Sequence, residues 1–259
     1  MHEVEGYSGR LWVSDSPLVS ELVLTIRDAV LQRSSYLVRK CVDEIGKLMA
    51  YDVERIETAK GNFPTASASV TTGNKGTALH QLRSEEPVFL NILRSADEMV
   101  HGAREVFREA PVIFADTKRV EGTYREGTIR IDVNYMSAPN PQPDGEVFSL
   151  AGRVLMVPDP MGATFWSGET AAARAGGLYG QPSRQIFMNV MAAKPGVEAF
   201  LERMTRAGID CCMYTAVLDP TLDERAYIVP GAGDLGNLQH NGGKSLFRVL
   251  REIFYEGRE

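Results

Sequence analysis

The chain has 259 residues, 44% of them apolar and 24% charged, and a formal net charge of −6 with a pI near 5.4. That balance fits one α/β domain with a sizeable core and excludes global disorder; the acidic charge excludes the basic stripe of a nucleic-acid binder, and no apolar run approaches the roughly 20 residues of a membrane span. Residues 1–10 carry His2, Glu3 and Glu5 without an apolar h-region, so a cytoplasmic location is expected, and Cys41, Cys211 and Cys212 build neither a disulfide framework nor a metal-ligand set.

Ser16 and Pro17 precede Leu18, Leu22, Ile26 and Ala29. An N-cap, a proline at the first helical position and one apolar face predict a helix over 17–32. Leu37, Val38, Cys41, Val42, Ile45 and Leu48 predict a second helix that breaks near Tyr51, giving N-terminal helices over 16–50. Residues 58–83, rich in Gly, Thr, Ser, Asn and Lys, read as a flexible arm. Over 87–220, apolar runs at 87–93, 111–115, 154–157, 186–192 and 212–218 alternate with amphipathic stretches at 97–108, 168–179 and 197–206. The alternation predicts an open, doubly wound, mostly parallel sheet with helices on both faces, joined by right-handed crossovers. Residues 128–136 alternate Ile129, Ile131, Val133 and Tyr135 with polar neighbours and read as a solvated strand or flap outside the buried sheet. Leu246, Val249, Leu250 and Ile253 predict a core-facing terminal helix.

Two segments carry chemistry. The strand at 154–157 runs into Asp159-Pro160-Met161-Gly162-Ala163-Thr164-Phe165-Trp166-Ser167 and then a helix. Ligands of open α/β sheets bind at the carboxyl ends of strands, and free N–H groups at the next helix start suit a phosphate. Asp159 suits ribose hydroxyls there, and Thr164 and Ser167 suit phosphate oxygens, while a capping turn explains the same residues equally. The second segment, Tyr227-Ile228-Val229-Pro230-Gly231-Ala232-Gly233-Asp234-Leu235-Gly236-Asn237, packs three glycines into six residues and permits main-chain approach to a flat polar ligand. Taken alone, an ordinary surface turn explains it. His80, His101 and His240 show no metal spacing.

In this order the segments resemble the uracil phosphoribosyltransferase family, whose phosphate loop reads roughly D-P-M-L-A-T-G-G-S and whose base hood reads Y-I-V-P-G-L-G-D-A-G-D. Ser16-Pro17-Leu18-Val19 with Thr25-Ile26-Arg27-Asp28 is similar to its H-P-L-V with L-T-x-L-R-D. Ile92-Leu93-Arg94 with Met99-Val100-His101-Gly102 is similar to I-L-R-A-G-L-G-M-V-D-G, and Ala192-Ala193-Lys194-Pro195-Gly196-Val197 to A-A-P-E-G-V with one insertion. The resemblance implies a phosphoribosyltransferase-type fold in one domain, 1–259, with a C-terminal base-binding hood at 226–242. It implies transfer of a phosphoribosyl group from Mg²⁺-bound phosphoribosyl pyrophosphate to uracil or a related heterocycle or small ring. Asp159 would then hold the ribose hydroxyls, with Met161, Ala163, Thr164 and Ser167 around the 5′-phosphate and Arg94 in the pyrophosphate loop. Tyr227, Ile228 and Gly233 would meet the base, with Asp234 near it and, through pyrophosphate, near the Mg²⁺. A homodimer or higher homo-oligomer is also implied.

The chain departs from that pattern at the donor. Gly162 stands for the family's Leu, and Phe165 and Trp166 for its two glycines. The aromatics are expected to forbid positive φ or fill the pocket, with Gly162 free to rebuild the loop one residue earlier. Ser95-Ala96-Asp97-Glu98 replaces A-G-L-G and sets two carboxylates where pyrophosphate approaches. Asn237 replaces the second hood Asp, Leu238 the Arg after it, and Ala115-Asp116-Thr117-Lys118-Arg119 stands at the family's Y-R-D-x-E-T. Three functions stay open: transfer to uracil or a similar ring, transfer with another acceptor or donor in which an aromatic stacks on a larger ring, and a catalytically silent ligand-binding relative.

Overall fold

The computed structural model describes residues 1–63, 65–69, 78–82, 87–120, 129–139, 145 and 147–256. The chain opens with β1 (His2–Glu3), β2 (Leu11–Val13), α1 (Pro17–Arg27), a 3₁₀ turn (Leu31–Arg33) and α2 (Ser35–Ala59). The stretch read as an arm over 58–83 instead begins with the end of α2 and buried Phe63 and continues into antiparallel β3 (Thr65–Ser69) and β4 (Ala78–Leu82), and its residues 64, 70–77 and 83 lie outside the described residues. Next come β5 (Val88–Leu93), α3 (Asp97–Arg104), β6 (Val112–Arg119), β7 (Ile131–Ser137), β8 (Val154–Pro158) and the two-residue β9 (Met161–Gly162). The remainder is α4 (Trp166–Tyr179), β10 (Arg184–Ala193), α5 (Lys194–Arg206), β11 (Cys211–Asp219), β12 (Thr221–Leu222), β13 (Ile228–Val229), α6 (Leu235–His240) and α7 (Leu246–Arg251).

Local chemistry sets the helix ends. Ser16 caps α1 through the Val19 N–H, with Pro17 at the first position. The helix stops at Arg27, short of the expected residue 32, because the Asp28 carboxylate takes the N–H groups of Val30 and Leu31 at 2.9 and 2.8 Å and turns the chain. α2 does not break at Tyr51. Met49, Val53 and Ile56 continue its buried stripe, and Tyr51 lies on the exposed face.

The main sheet runs β1-β2-β11-β10-β8-β5-β6-β7, with β9 beside β10. Every neighbouring pair from β2 to β6 is parallel. The chain moves outward one way through β5 and β6 and the other way through β8, β10 and β11. Right-handed crossovers therefore put α3 on one face and α4 and α5 on the other. α2 packs on α3, and α1 on α2. The central strands β5, β8 and β10 are buried almost throughout, as strands covered on both faces must be.

Two further expectations are corrected. β7 is not a flap apart from the sheet: it pairs antiparallel with β6 at the sheet edge, with none of its residues fully buried and Tyr135 exposed. The terminal helix does not face the main core. Val249 is buried but outside the main cluster, Phe247 and Phe254 are exposed, and Lys244 and Arg33 hold the helix at the surface through Glu252. Among the described residues no helix is long and apolar enough to cross a membrane.

Candidate active site

The winding direction reverses between adjacent β5 and β8, and at such a point the loops leaving the strands' carboxyl ends diverge and open a crevice. A cavity of about 570 Å³ lies there. β5 contributes Leu93, Arg94 and Ser95 to its wall, β6 contributes Asp116, Thr117 and Arg119, and Asp159 follows β8. Met161 of β9, Ala163 of the loop after it and Ser167 at the start of α4 come next, and Tyr227, Ile228, Gly233 and Asp234 close the far side. The structure thus brings every residue singled out from the sequence into one cavity except Thr164, which is not among its lining residues and whose carbonyl accepts from Arg203 Nη2 at 3.1 Å. Arg119 also lines the cavity, although the sequence does not single it out. Its position at the end of the strand next to β5 was the usable signal.

Asp159 sits half-buried, and burial pushes its carboxyl up to about 6. The Met161 N–H, 3.4 Å from Oδ1, and the charge of Arg119 act in the opposite direction. Buried Asn189 donates to the Asp159 carbonyl at 2.5 Å and fixes the strand end.

The loop between β8 and α4 contradicts the expectations for its aromatics. Phe165 adopts φ +67°, the left-handed conformation a glycine would take freely. Its ring is buried, stacked on Phe200 at 5.0 Å and edge-on to Phe187 at 6.4 Å, so tertiary packing offsets the backbone cost. Neither Phe165 nor Trp166 lines the cavity. Gly162 does not rebuild the loop through a positive φ; it makes room, since a Cβ there would lie 2.5 Å from the Phe165 ring.

The acidic segment after β5 is also partnered. Asn91 Nδ2 donates to Asp97 at 2.8 Å and Arg39 Nε pairs with Glu98 at 3.2 Å, and neither carboxylate lines the cavity. The exposed Arg94 does, with its carbonyl 3.1 Å from His240 Nε2.

On the opposite wall, Gly231 and Gly233 have φ of +51° and +75°. The Arg27 guanidinium pairs with buried Asp219, whose Oδ2 also accepts the Gly231 N–H at 3.2 Å, tying α1 and β11 to this loop. Asp234 caps α6: Oδ1 takes the Asn237 N–H at 2.9 Å and Oδ2 takes Asn237 Nδ2 at 2.8 Å. Replacing Asp234 by alanine is expected to lower stability by about 0.5–2 kcal/mol, as cap removal does, read as a lower urea midpoint.

Among the described residues no group of three or more His, Cys, Asp or Glu is placed to hold a metal. The hard oxygens of Asp116, Asp159 and Asp234 around one cavity fit a Mg²⁺ ion coordinated mainly by a ligand's phosphate oxygens and water.

Comparison with known proteins agrees with this geometry. Residues 13–241 match the family model of uracil phosphoribosyltransferase. The uracil phosphoribosyltransferase of Limosilactobacillus fermentum is 32% identical over 230 residues, 88% of this chain and 97% of that protein. That of Thermococcus gammatolerans is 29% identical over 245 residues, 92% and 95% of the two chains. Among solved structures, the AQ2163 protein of Aquifex aeolicus superposes with a TM-score of 0.74 at 24% identity, covering 90% of this chain and 99% of that one. The chain carries the α/β phosphoribosyltransferase fold and belongs to the uracil phosphoribosyltransferase family of pentosyltransferases.

Proposed function

We propose that the protein transfers the 5-phosphoribosyl group of phosphoribosyl pyrophosphate to a ring nitrogen of uracil and releases pyrophosphate. The observation that carries this reading is the convergence of Asp159, the phosphate loop, Arg94 and the glycine-rich loop on one cavity that neither the loop aromatics nor Asp97 and Glu98 enter. Asp159 holds the ribose hydroxyls. Ala163 and Ser167 receive the 5′-phosphate at the start of α4, where unpaired N–H groups favour an anion. Arg94 and Arg119 offset the charge that builds on departing pyrophosphate as the anomeric carbon gains oxocarbenium character. Main-chain groups of Ile228 and Gly233 meet the base edge, and Asp219 with Arg27 holds their loop in place. Asp116, Asp159 and Asp234 would be the carboxylates at hand to hold a Mg²⁺ ion, which would supply Lewis-acid stabilisation of the departing pyrophosphate. No protein nucleophile is required.

The hood at 226–242, a one-domain organisation, a cytoplasmic location and self-association belong to the same proposal. Exposed Leu18, Leu24, Tyr36 and Tyr51 on α1 and α2 support a contact between copies.

The test is pyrophosphate release from phosphoribosyl pyrophosphate and Mg²⁺ with uracil, cytosine, thymine, orotate or hypoxanthine. Release dependent on uracil is expected. Release with another ring alone would replace the acceptor, and release with none would sink the transferase reading.

A further inference from the structure

The aromatic pair in the phosphate loop is gripped by one face of α5. Gly196, Phe200 and Arg203 stand at i, i+4 and i+7 and so share that face. Gly196 lets the helix lie directly on the loop, since a Cβ there would be 1.7 Å from the Ala163 carbonyl oxygen. Phe200 stacks on Phe165 with centroids 5.0 Å apart. Arg203 makes three kinds of contact at once. Its Nη2 donates to the Thr164 carbonyl at 3.1 Å, its Cζ lies 4.0 Å from the centre of the Trp166 ring, and Nε and Nη2 hold the Glu169 carboxylate at 2.8 and 2.7 Å. Residues 163, 164, 165 and 166 are each touched from the same helix.

A planar guanidinium suits this position, because one rigid group stacks and forks together where an ammonium does neither well. The arrangement also settles a charge problem. Glu169 lies in the first turn of α4, where its carboxylate would repel a phosphate bound at the helix start, and Arg203 neutralises it.

We infer that Arg203 is a positioning residue for the phosphate loop: with Phe200 it pre-forms residues 163–167 for the donor's 5′-phosphate and masks Glu169. Where two consecutive glycines would leave the loop to be ordered by its ligand, side-chain packing orders it beforehand and lowers the cost of binding. The ligand assignment rests on the proposed transfer reaction; the clamp itself does not.

The chain has two tryptophans, so Trp12→Phe leaves Trp166 as the sole reporter. In that background, acrylamide quenching of Trp166 is measured without ligand for the parent and for Arg203→Ala, and ribose 5-phosphate is then titrated into both. Arg203→Ala is expected to raise quenching, to weaken ribose 5-phosphate binding about tenfold, and to raise KM for phosphoribosyl pyrophosphate similarly with kcat within about threefold. Arg203→Lys, which keeps charge but not the fork, is expected to fall between. Unchanged quenching would overturn the clamp, and raised quenching with unchanged ribose 5-phosphate affinity would overturn the positioning role. Should Arg203→Ala fail to fold, Arg203→Lys carries the test: an ammonium cannot stack on Trp166 and hold Thr164 and Glu169 together, so it is expected to raise Trp166 quenching, and unchanged quenching there would equally overturn the clamp. If the parent binds no ribose 5-phosphate, the transfer reading falls, while the ligand-free quenching still judges the clamp.

Discussion

Gly162→Leu is expected to destabilise the protein by about 1–3 kcal/mol, the usual cost of overpacking a filled site, and Phe165→Gly in the same chain to recover most of that loss. A Cβ at 162 would lie 2.5 and 2.7 Å from two Phe165 ring atoms and 3.0 Å from Asn189 Cγ. The ring has no retreat, because Phe200 and Phe187 enclose it and also pack on each other at 4.6 Å. Phe165→Gly alone relieves the left-handed backbone but empties aromatic volume from the core, so it also loses stability, by about 3 kcal/mol. The double variant restores the family's pairing of these two positions, with an aliphatic side chain at 162 filling what the ring vacates. Urea unfolding of the four proteins is expected to give a coupling energy above about 1 kcal/mol. Strictly additive losses would show that the two positions do not exchange volume.

Asp159→Asn is expected to lower kcat/KM on the order of 10²-fold or more, since it removes the charge meant for the ribose hydroxyls and the developing cation. The same change is expected to stabilise the protein at neutral pH. The unfolded carboxyl ionises near its ordinary value of 3.8, whereas the folded one keeps its proton up to about 6. Between those values the unfolded state is progressively favoured, and the penalty is complete above about pH 6. Removing the ionisable group is thus worth roughly 1–3 kcal/mol at pH 8 and nothing at pH 3.5. Thermal melts of both proteins across that range check it. An advantage for Asp159→Asn that persists at pH 3.5 would assign the effect to packing instead of charge.

Much of the fold was legible because the signals were local. Ser16 with Pro17 starts α1, and the apolar runs at 154–157 and 186–192 become buried parallel strands since nothing else suits so little polarity. The failures came from contacts distant in sequence. The chain does not reveal at Asp28 that a carboxylate will turn the backbone, or at Leu250 and Ile253 that the core is already closed without them. The site follows the same division. Asp159 and the glycine-rich loop carry recognisable neighbours, and their meeting in one cavity follows from strand order. The aromatic pair misled because its effect depends on direction: Phe165 points into a nest formed by residues 187 and 200, and Trp166 lies under Arg203. Likewise Asp97 and Glu98 look repulsive in sequence, and only the folded chain brings Asn91 and Arg39 to them.

If the protein is a transferase, its altered loop still receives the donor. Isothermal titration of phosphoribosyl pyrophosphate with Mg²⁺ into the wild-type protein tests it most directly, with a melting curve in the same buffer. One saturable site per chain and a raised melting temperature are expected, as any ligand bound only by the folded state produces. No heat and no shift from protein that melts cooperatively would contradict it.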